Sequence, residues 1–494
     1  MWKLIAACLV LAGLSLLLPS EPSYDPWGWL VWGRELVQLR LDTAGGPSWK
    51  PLPVAFTTLT APFGRLDEGL PPALWIVVAR AGTLLALAMA FRLAGRLAGG
   101  GAAGVLAGAV AAVALFLTPD WFQFAAQGSE APLAVALMLW AVERHLDGRP
   151  GHALVLGLLT CLMRPELVPF LGLYGAWAWF AEPRLRPLLA GALVLLPAAW
   201  VVPEWIGSGN PLDGGRQARS EPVWSLSLAE HPWLRALERF HNHAGVAVEL
   251  LALAGLIGAL VRRQWAVLAL AAAALAEVAL YVAMTQLGFS GNPRYVLPAL
   301  TIACVLAGVG AAQLVELRLP RVPRPAVAAA ALAAIAMLGA PFVDERVAML
   351  ANEARQVGER MQVHADLARA VDQVGGPGAV AAIGTATANR ALHSRLAWEL
   401  ELPMDAVESV SDHRVIFRSR LESLAGHVYM KGRARARRTL ARLGSIRVYR
   451  RDGITFPLRR RRLVGIGSPF TGLLQGIHTR ADRGRNSAVR VVTR

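Results

Sequence analysis

Apolar residues run along this chain in long blocks, not in the stripes of a helix that buries one face. Blocks near 4–19, 74–93, 101–118, 131–146, 187–203, 245–261, 265–284, 295–315 and 326–343 approach the length a bilayer asks for. A hydrocarbon core takes roughly 20 apolar residues per helix, and it tolerates helices because they leave no backbone amide unpaired. Two shorter blocks, 152–163 and 167–181, flank Arg164-Pro165-Glu166. At 1.5 Å per residue they reach only about 18–22 Å. The pattern therefore predicts a hairpin of short helices whose turn is buried in protein or faces a cavity. From about residue 344 the blocks stop. An amphipathic helix is expected over 344–374, a buried strand at 379–384 and a helix near 387–400. Strand-like pieces follow near 406–410, 414–417 and 445–450, and strand alternating with helix reads as a small α/β domain.

The expected architecture is a polytopic α-helical membrane protein of about 10–11 hydrophobic segments with a C-terminal α/β domain. Residues 1–343 form the transmembrane domain with a large first outer loop at 20–73, residues 344–479 the soluble domain, and 480–494 a disordered tail. Composition agrees: 55% of the 494 residues are hydrophobic. The net charge of +16 is nearly all arginine, since lysine occurs only at Lys3, Lys50 and Lys431. On a membrane protein such charge points to anionic headgroups. No basic soluble fold with stacking or groove-reading elements accompanies it, so nucleic acid is not an expected partner. Cys8, Cys161 and Cys304 all fall inside apolar blocks, which implies no disulfide framework.

Short arginine-bearing loops stay in the cytoplasm. Lys3, Arg92 with Arg96, Arg144 with Arg149, Arg184 with Arg186, Arg262 with Arg263, and Arg318 with Arg321 and Arg324 fall in alternate loops, provided 152–181 goes in and comes back. The other face then collects 20–73, 119–130, 164–166, 204–244, 285–294 and the tail. The expected location is the plasma membrane, with the chemistry and the C-terminal domain outside the cytoplasm. Lys3 ahead of a short apolar core has signal-peptide character. Leu18-Pro19-Ser20-Glu21 is a poor cleavage site, however, so a retained first helix is expected.

The unusual polar residues lie on that outer face. The first loop reads Tyr24-Asp25-Pro26-Trp27-Gly28-Trp29, then Gly46-Pro47-Ser48-Trp49-Lys50-Pro51-Leu52-Pro53. Gln127-Gly128-Ser129-Glu130 opens the fourth block, Arg164-Pro165-Glu166 sits between the short helices, and Asn292-Pro293-Arg294-Tyr295 opens a later block. In order and shared side these motifs resemble the large-loop glycosyltransferases of the GT-C superfamily, in particular the branch of protein O-mannosyltransferases and lipid A aminoarabinose transferases. Those proteins carry an acid just after the first helix, matched by Asp25. They carry a Lys-Pro-Pro-Leu-like element before the second, matched by Lys50-Pro51-Leu52-Pro53 with its prolines rearranged. The resemblance covers roughly residues 1–345. It departs from the superfamily in lacking an Asp-Asp or Glu-x-Asp pair at the first site, which leaves the need for a divalent metal open.

The resemblance implies transfer of a sugar from a polyprenyl-phosphate carrier to a cell-envelope glycan, lipid or protein, with inversion. Such a transfer needs a base on the acceptor hydroxyl, for which Asp25 is the candidate. It needs cations on the departing phosphate, for which Lys50, Arg294 and Arg164 are candidates. Glu130 and Glu166 are the secondary acidic candidates. Each residue also has a plainer role. Asp25 before Pro26 has the form of a helix N-cap, and Glu130 that of a cap on the fourth helix. Lys50 can snorkel, Arg294 can touch headgroups, and Arg164 can pair with Glu166. Trp27, Trp29, Trp32 and Trp49 read as an aromatic belt or as a sugar platform. Two other functions stay open: a flippase or transporter of lipid-linked sugar, and a non-catalytic envelope assembly protein whose basic stretch at 431–462 binds anionic polymer.

Overall fold

Among the membrane blocks, small residues decide which helices come close. A computed structural model of the chain describes residues 1–219, 225–407, 415–419, 437–443 and 446–451. Its helices are α1 (Trp2–Leu14), α2 (Tyr24–Val37), α3 (Pro51–Thr60), α4 (Leu70–Leu97), α5 (Gly101–Phe116), α6 (Trp121–Ala126), α7 (Ala131–Leu146), α8 (Pro150–Cys161), α9 (Val168–Ala181) and α10 (Arg186–Ser208). They continue with α11 (Asp213–Ala218), α12 (Pro232–Arg262), α13 (Trp265–Gln286), α14 (Pro293–Val315), α15 (Arg324–Val374), α16 (Gly376–Ile383) and α17 (Arg390–Glu399). Among the described residues, six helices are long and apolar enough to cross a membrane: α4, α10 with the turn before it, α12, α13, α14 and α15. Shorter apolar helices accompany them, so this is a multi-pass membrane protein.

The main core joins α4, α5, α7, α12, α13 and α14, with α1 laid on α4. Its centre is α14, whose Gly310 meets α12: a Cβ there would stand 1.9 Å from the Leu251 carbonyl oxygen. Helices that touch backbone to backbone gain dispersion contacts that lipid cannot match. Helix α12 breaks at Gly245, where φ is 75°, so the apolar part begins where the block at 245 does. The two short blocks form the expected hairpin, α8 against α9, and at the turn between them Met163, Arg164 and Leu167 are buried while Pro165 is exposed.

Two expectations for the C-terminal region fail. The membrane block at 326–343 and the amphipathic stretch at 344–374 are one continuous helix of 51 residues, α15, with Pro341 inside it. The stretch 379–384 is no strand but mostly helix α16, which begins Gly376-Pro377. A short apolar run does not distinguish the two states by periodicity, and alanine with a leading proline favours the helix. The strands are β1 (Ala386–Thr387), β2 (Val415–Ser419), β3 (Arg437–Leu443) and β4 (Ile446–Arg451), in the order β1-β2-β4-β3. β1 and β2 run parallel, with Ala386 opposite Val415; the other pairs are antiparallel, with Phe417 opposite Val448. The disordered-tail expectation and most of the basic stretch lie outside the described residues.

Candidate active site

Two X-Pro steps aim the cations. Proline disfavours the helical conformation of the residue before it. Lys50, before Pro51 at the start of α3, is extended at φ −140° and ψ 108°, and Arg164, before Pro165, stands at φ −134° and ψ 86°. Both side chains therefore leave their helices sideways and enter the protein, where Lys50 is 5% exposed and Arg164 2%. The Leu52 amide donates to the Leu162 carbonyl at 3.2 Å, which ties the start of α3 to the hairpin turn.

They meet on Glu130. This residue occupies the cap position of α7 but makes no side-chain cap bond. Its fully buried carboxylate instead takes an ion pair with Lys50 and accepts from Arg164 Nη1 at 3.2 Å. Burial pulls this carboxyl upward, but Lys50, Arg294 and Arg164 together override it and hold it below the usual carboxylate range. Glu130 is thus ionised at neutral pH. Burial also pushes the Lys50 ammonium down to about 8, partly opposed by Glu130 and reinforced by Arg294 and Arg164. Its Nζ lies 5.4 Å from the centre of the Trp29 ring.

Arg164 reaches two further partners. Its Nη2 lies 2.5 Å from Glu166 Oε1, so the expected pairing within the bundle forms. The same nitrogen donates to the Arg294 carbonyl at 2.5 Å. That carbonyl is open because Pro298, four residues on in α14, has no N–H to give it. Arg294 itself stands in the first turn of α14, where Asn292 caps its amide at 3.1 Å. Its guanidinium pairs with Asp25, and the two side chains keep 22% and 17% exposure, more than any other pair of the cluster. Tyr295 lies beneath both arginines, 5.0 Å from Arg164 and 5.9 Å from Arg294.

Asp25 is not the cap of its helix. α2 begins at Tyr24, two residues before the expected start at Pro26, with Ser23 at the cap position, leaving Asp25 in the first turn. The tryptophans form neither belt nor platform: Trp27, Trp29, Trp32 and Trp49 are all buried. Trp29 packs edge-on to Trp75 at 5.4 Å and Trp32 against Trp49 at 5.5 Å, so they are the core of the loop. Gly33 sets that packing, because a Cβ there would meet the Thr57 backbone at 2.6 Å.

All six candidates thus form one linked network, Asp25–Arg294–Arg164–Glu130–Lys50 with Glu166 attached. It draws on five segments far apart in sequence, which places their loops at one end of the bundle. The arginines Arg92 and Arg96 pair with Glu143 and Asp147 at the far ends of α4 and α7. Three cations balance three carboxylates, so an arriving anion competes with a carboxylate for its cation. The most exposed pair, Asp25–Arg294, is the easiest to open, and opening it leaves a carboxylate and a guanidinium side by side. Among the described residues no group of three or more His, Cys, Asp or Glu is placed to hold a metal ion.

Two buried ionisable residues escaped the sequence reading although each interrupts an apolar block, the signal that marks such a group in a membrane. Glu277 of α13 is buried, has an unpartnered Oε2 and lies within electrostatic reach of Glu166 and Arg164. Arg80 of α4 donates to the Ser15 hydroxyl and the Pro19 carbonyl, both at 3.0 Å, and so closes the end of the first helical segment.

No protein-family model matches the sequence, and no curated protein matches it. Solved structures do. ArnT from Cupriavidus metallidurans bound to undecaprenyl phosphate aligns over 90% of this chain and 97% of its own, at 15% identity and a TM-score of 0.51. The apo form of the same protein aligns over the same shares at 16% identity and a TM-score of 0.50. The archaeal oligosaccharyltransferase AglB from Archaeoglobus fulgidus, in complex with an inhibitory peptide and a dolichol-phosphate, aligns over 84% of this chain and 69% of its own, at 12% identity and a TM-score of 0.48. The fold of the chain is that of the GT-C membrane proteins its motifs resemble.

Proposed function

We propose that the protein is a GT-C-type glycosyltransferase that moves a sugar from a polyprenyl-phosphate carrier to an acceptor hydroxyl outside the cytoplasm, with inversion. The observation that carries this reading is the convergence of Asp25, Lys50, Glu130, Arg164 and Arg294 in one network. Further support is the shared fold with a protein crystallised with undecaprenyl phosphate. The donor phosphate draws Arg294 away from Asp25 and toward itself, with Lys50 beside it. The released Asp25 accepts the proton of the acceptor hydroxyl as its oxygen attacks the anomeric carbon. The carbon–oxygen bond to phosphate breaks, and the polyprenyl phosphate leaves with its charge held by Arg294 and Lys50. Arg164 holds the Arg294 carbonyl and Glu130 throughout, so the phosphate-binding groups are oriented before the substrate arrives.

Transport is less well supported. Glu277 and Arg80 lie within membrane-spanning helices, yet Glu277 faces the same network and Arg80 is engaged by backbone. They do not trace a path across the bilayer.

The test is transfer of radiolabelled sugar from a panel of polyprenyl-phosphate sugars to envelope acceptors, in membranes holding the wild type or Asp25→Asn. Transfer that vanishes in the variant, with equal membrane insertion, supports the reading. Full activity in Asp25→Asn removes the base from the mechanism.

A further inference from the structure

The helix that bears Asp25 is embedded in the C-terminal region as much as in the bundle. Val31 of α2 belongs to the buried cluster built by Val363, Leu367, Leu392, Leu396 and Phe417. The contact continues as directed bonds along the whole length of α2. At its start, the buried Ser394 hydroxyl of α17 donates to the Tyr24 carbonyl at 2.8 Å. The Tyr24 ring stacks on His393 at 6.1 Å, and Arg390 lies 5.5 Å above it. Just ahead, Glu21 accepts from Trp27 Nε1 at 3.1 Å and from Arg395 at 3.3 Å, while His364 of α15 stands 2.7 Å away. At the far end, Arg34 donates to the carbonyls of Trp398, Ala397 and Leu402 at 3.0, 3.3 and 3.5 Å. These carbonyls belong to the C-terminal end of α17 and the turn after it. The Trp398 and Ala397 carbonyls also accept from the amides of Glu401 and Leu402 at 3.2 and 3.0 Å, and the negative end of the helix dipole favours a second, cationic donor there.

Resting on the reading of Asp25 as the base, we infer that α17 is the positioning element for that base, with Ser394 and Arg34 as the positioning residues. Neighbouring residues of a helix point about 100° apart. Holding Tyr24 against α17 therefore fixes the rotation of the first turn and turns Asp25 toward Arg294. If α2 can roll, the carboxylate moves by about an ångström. A misplacement of that size in a reacting group costs on the order of 10²-fold in rate. This gives the C-terminal region a part in the chemical step without supplying any reacting group.

The experiment uses full-length protein in membranes with a polyprenyl-phosphate sugar donor, comparing wild type, Asp25→Asn, Ser394→Ala, Ser394→Thr and Arg34→Gln. Loss of the single Ser394 hydrogen bond is expected to lower kcat by about 5–10-fold, the scale of one buried bond, with KM for the donor unchanged. Ser394→Thr keeps the hydroxyl and restores kcat; Arg34→Gln lowers kcat at least as much as Ser394→Ala. If Ser394→Ala does not fold, Ser394→Cys, similar in size but a weak donor, should show the same split. Wild-type kcat in Ser394→Ala beside an inactive Asp25→Asn would overturn the positioning role alone. So would a loss seen wholly in KM, or one that Ser394→Thr shares. Full activity in Asp25→Asn would overturn the base, and the positioning role with it.

Discussion

Helices α14 and α15 are neighbours in sequence with nearly equal hydropathy, yet 94% of the apolar stretch of α14 is buried in the protein and only 6% of that of α15. The difference lies in where their small residues meet other backbones. Gly308 and Gly310 of α14 have carbonyls of α5 and α12 within 2.2 and 1.9 Å of where a Cβ would stand, whereas Gly339 of α15 has nothing within 4 Å. Central position also brings the head of α14 into the polar network. Its first turn carries Arg294, and Pro298 opens a carbonyl that Arg164 fills. α15 instead runs on past the bundle and brings His364 to Glu21. One helix organises the site from within; the other carries the C-terminal region to it.

Four perturbations test this contrast. Arg294→Ala at the head of α14 should lower sugar transfer by about 10²-fold or more, the scale of losing a charge stabiliser of the transition state. An assay of label transfer at saturating donor checks it, and a loss under tenfold would move the phosphate contact elsewhere. Gly310→Leu should cost about 3 kcal/mol or more, at the top of the range for overpacking, since backbone must move. The matched Gly339→Leu on α15 should stay within about 0.5 kcal/mol, as exposed substitutions do. Thermal unfolding of the two variants in detergent breaks the comparison if they fall together.

The third perturbation is pH. Lys50, with its ammonium pushed down to about 8, loses charge as pH rises through that value, so phosphate affinity falls on the alkaline side. The profile of kcat/KM, which reports the free enzyme, should decline above about 8. Bound phosphate favours the ammonium, so kcat should hold to higher pH. Lys50→Arg should remove the alkaline decline from whatever activity remains, because a guanidinium stays charged. The smallest effect is expected from Pro298→Ala. It restores a helical donor for the Arg294 carbonyl and weakens the hold of Arg164, with a drop in kcat of about threefold and no loss of thermal stability. A large loss of stability would instead make Pro298 a packing residue.

The candidate site was unusually legible in the sequence, because an ionisable residue beside a long apolar block stands out without any structure. Asp25, Lys50, Glu130, Arg164, Glu166 and Arg294 stand out through their motifs and the resemblance these carry, and the hairpin between 152 and 181 through the short lengths of its two helices. What was not legible is how they are joined. Nothing in Gln127-Gly128-Ser129-Glu130 says that Glu130 would be the hub of two cations from other segments. The tryptophans of the first loop were misread because an aromatic near a membrane looks the same whether it lies at an interface or under a packed loop. Glu277 and Arg80 were overlooked although their signal was present.

The sequence by itself determined the solvent of this protein, the rough limits of its long apolar helices, and which ionisable residues lie beside them. These follow from local properties, the length of apolar runs and the cost of a charge in lipid. Only the tertiary structure decided that α14 lies at the centre and α15 at the edge. It alone carried α15 unbroken into the C-terminal region and set α17 against the helix of Asp25. Those outcomes depend on which small residue faces which backbone, and on which open carbonyl finds which donor. Such pairings between segments leave no mark in the hydropathy of either one.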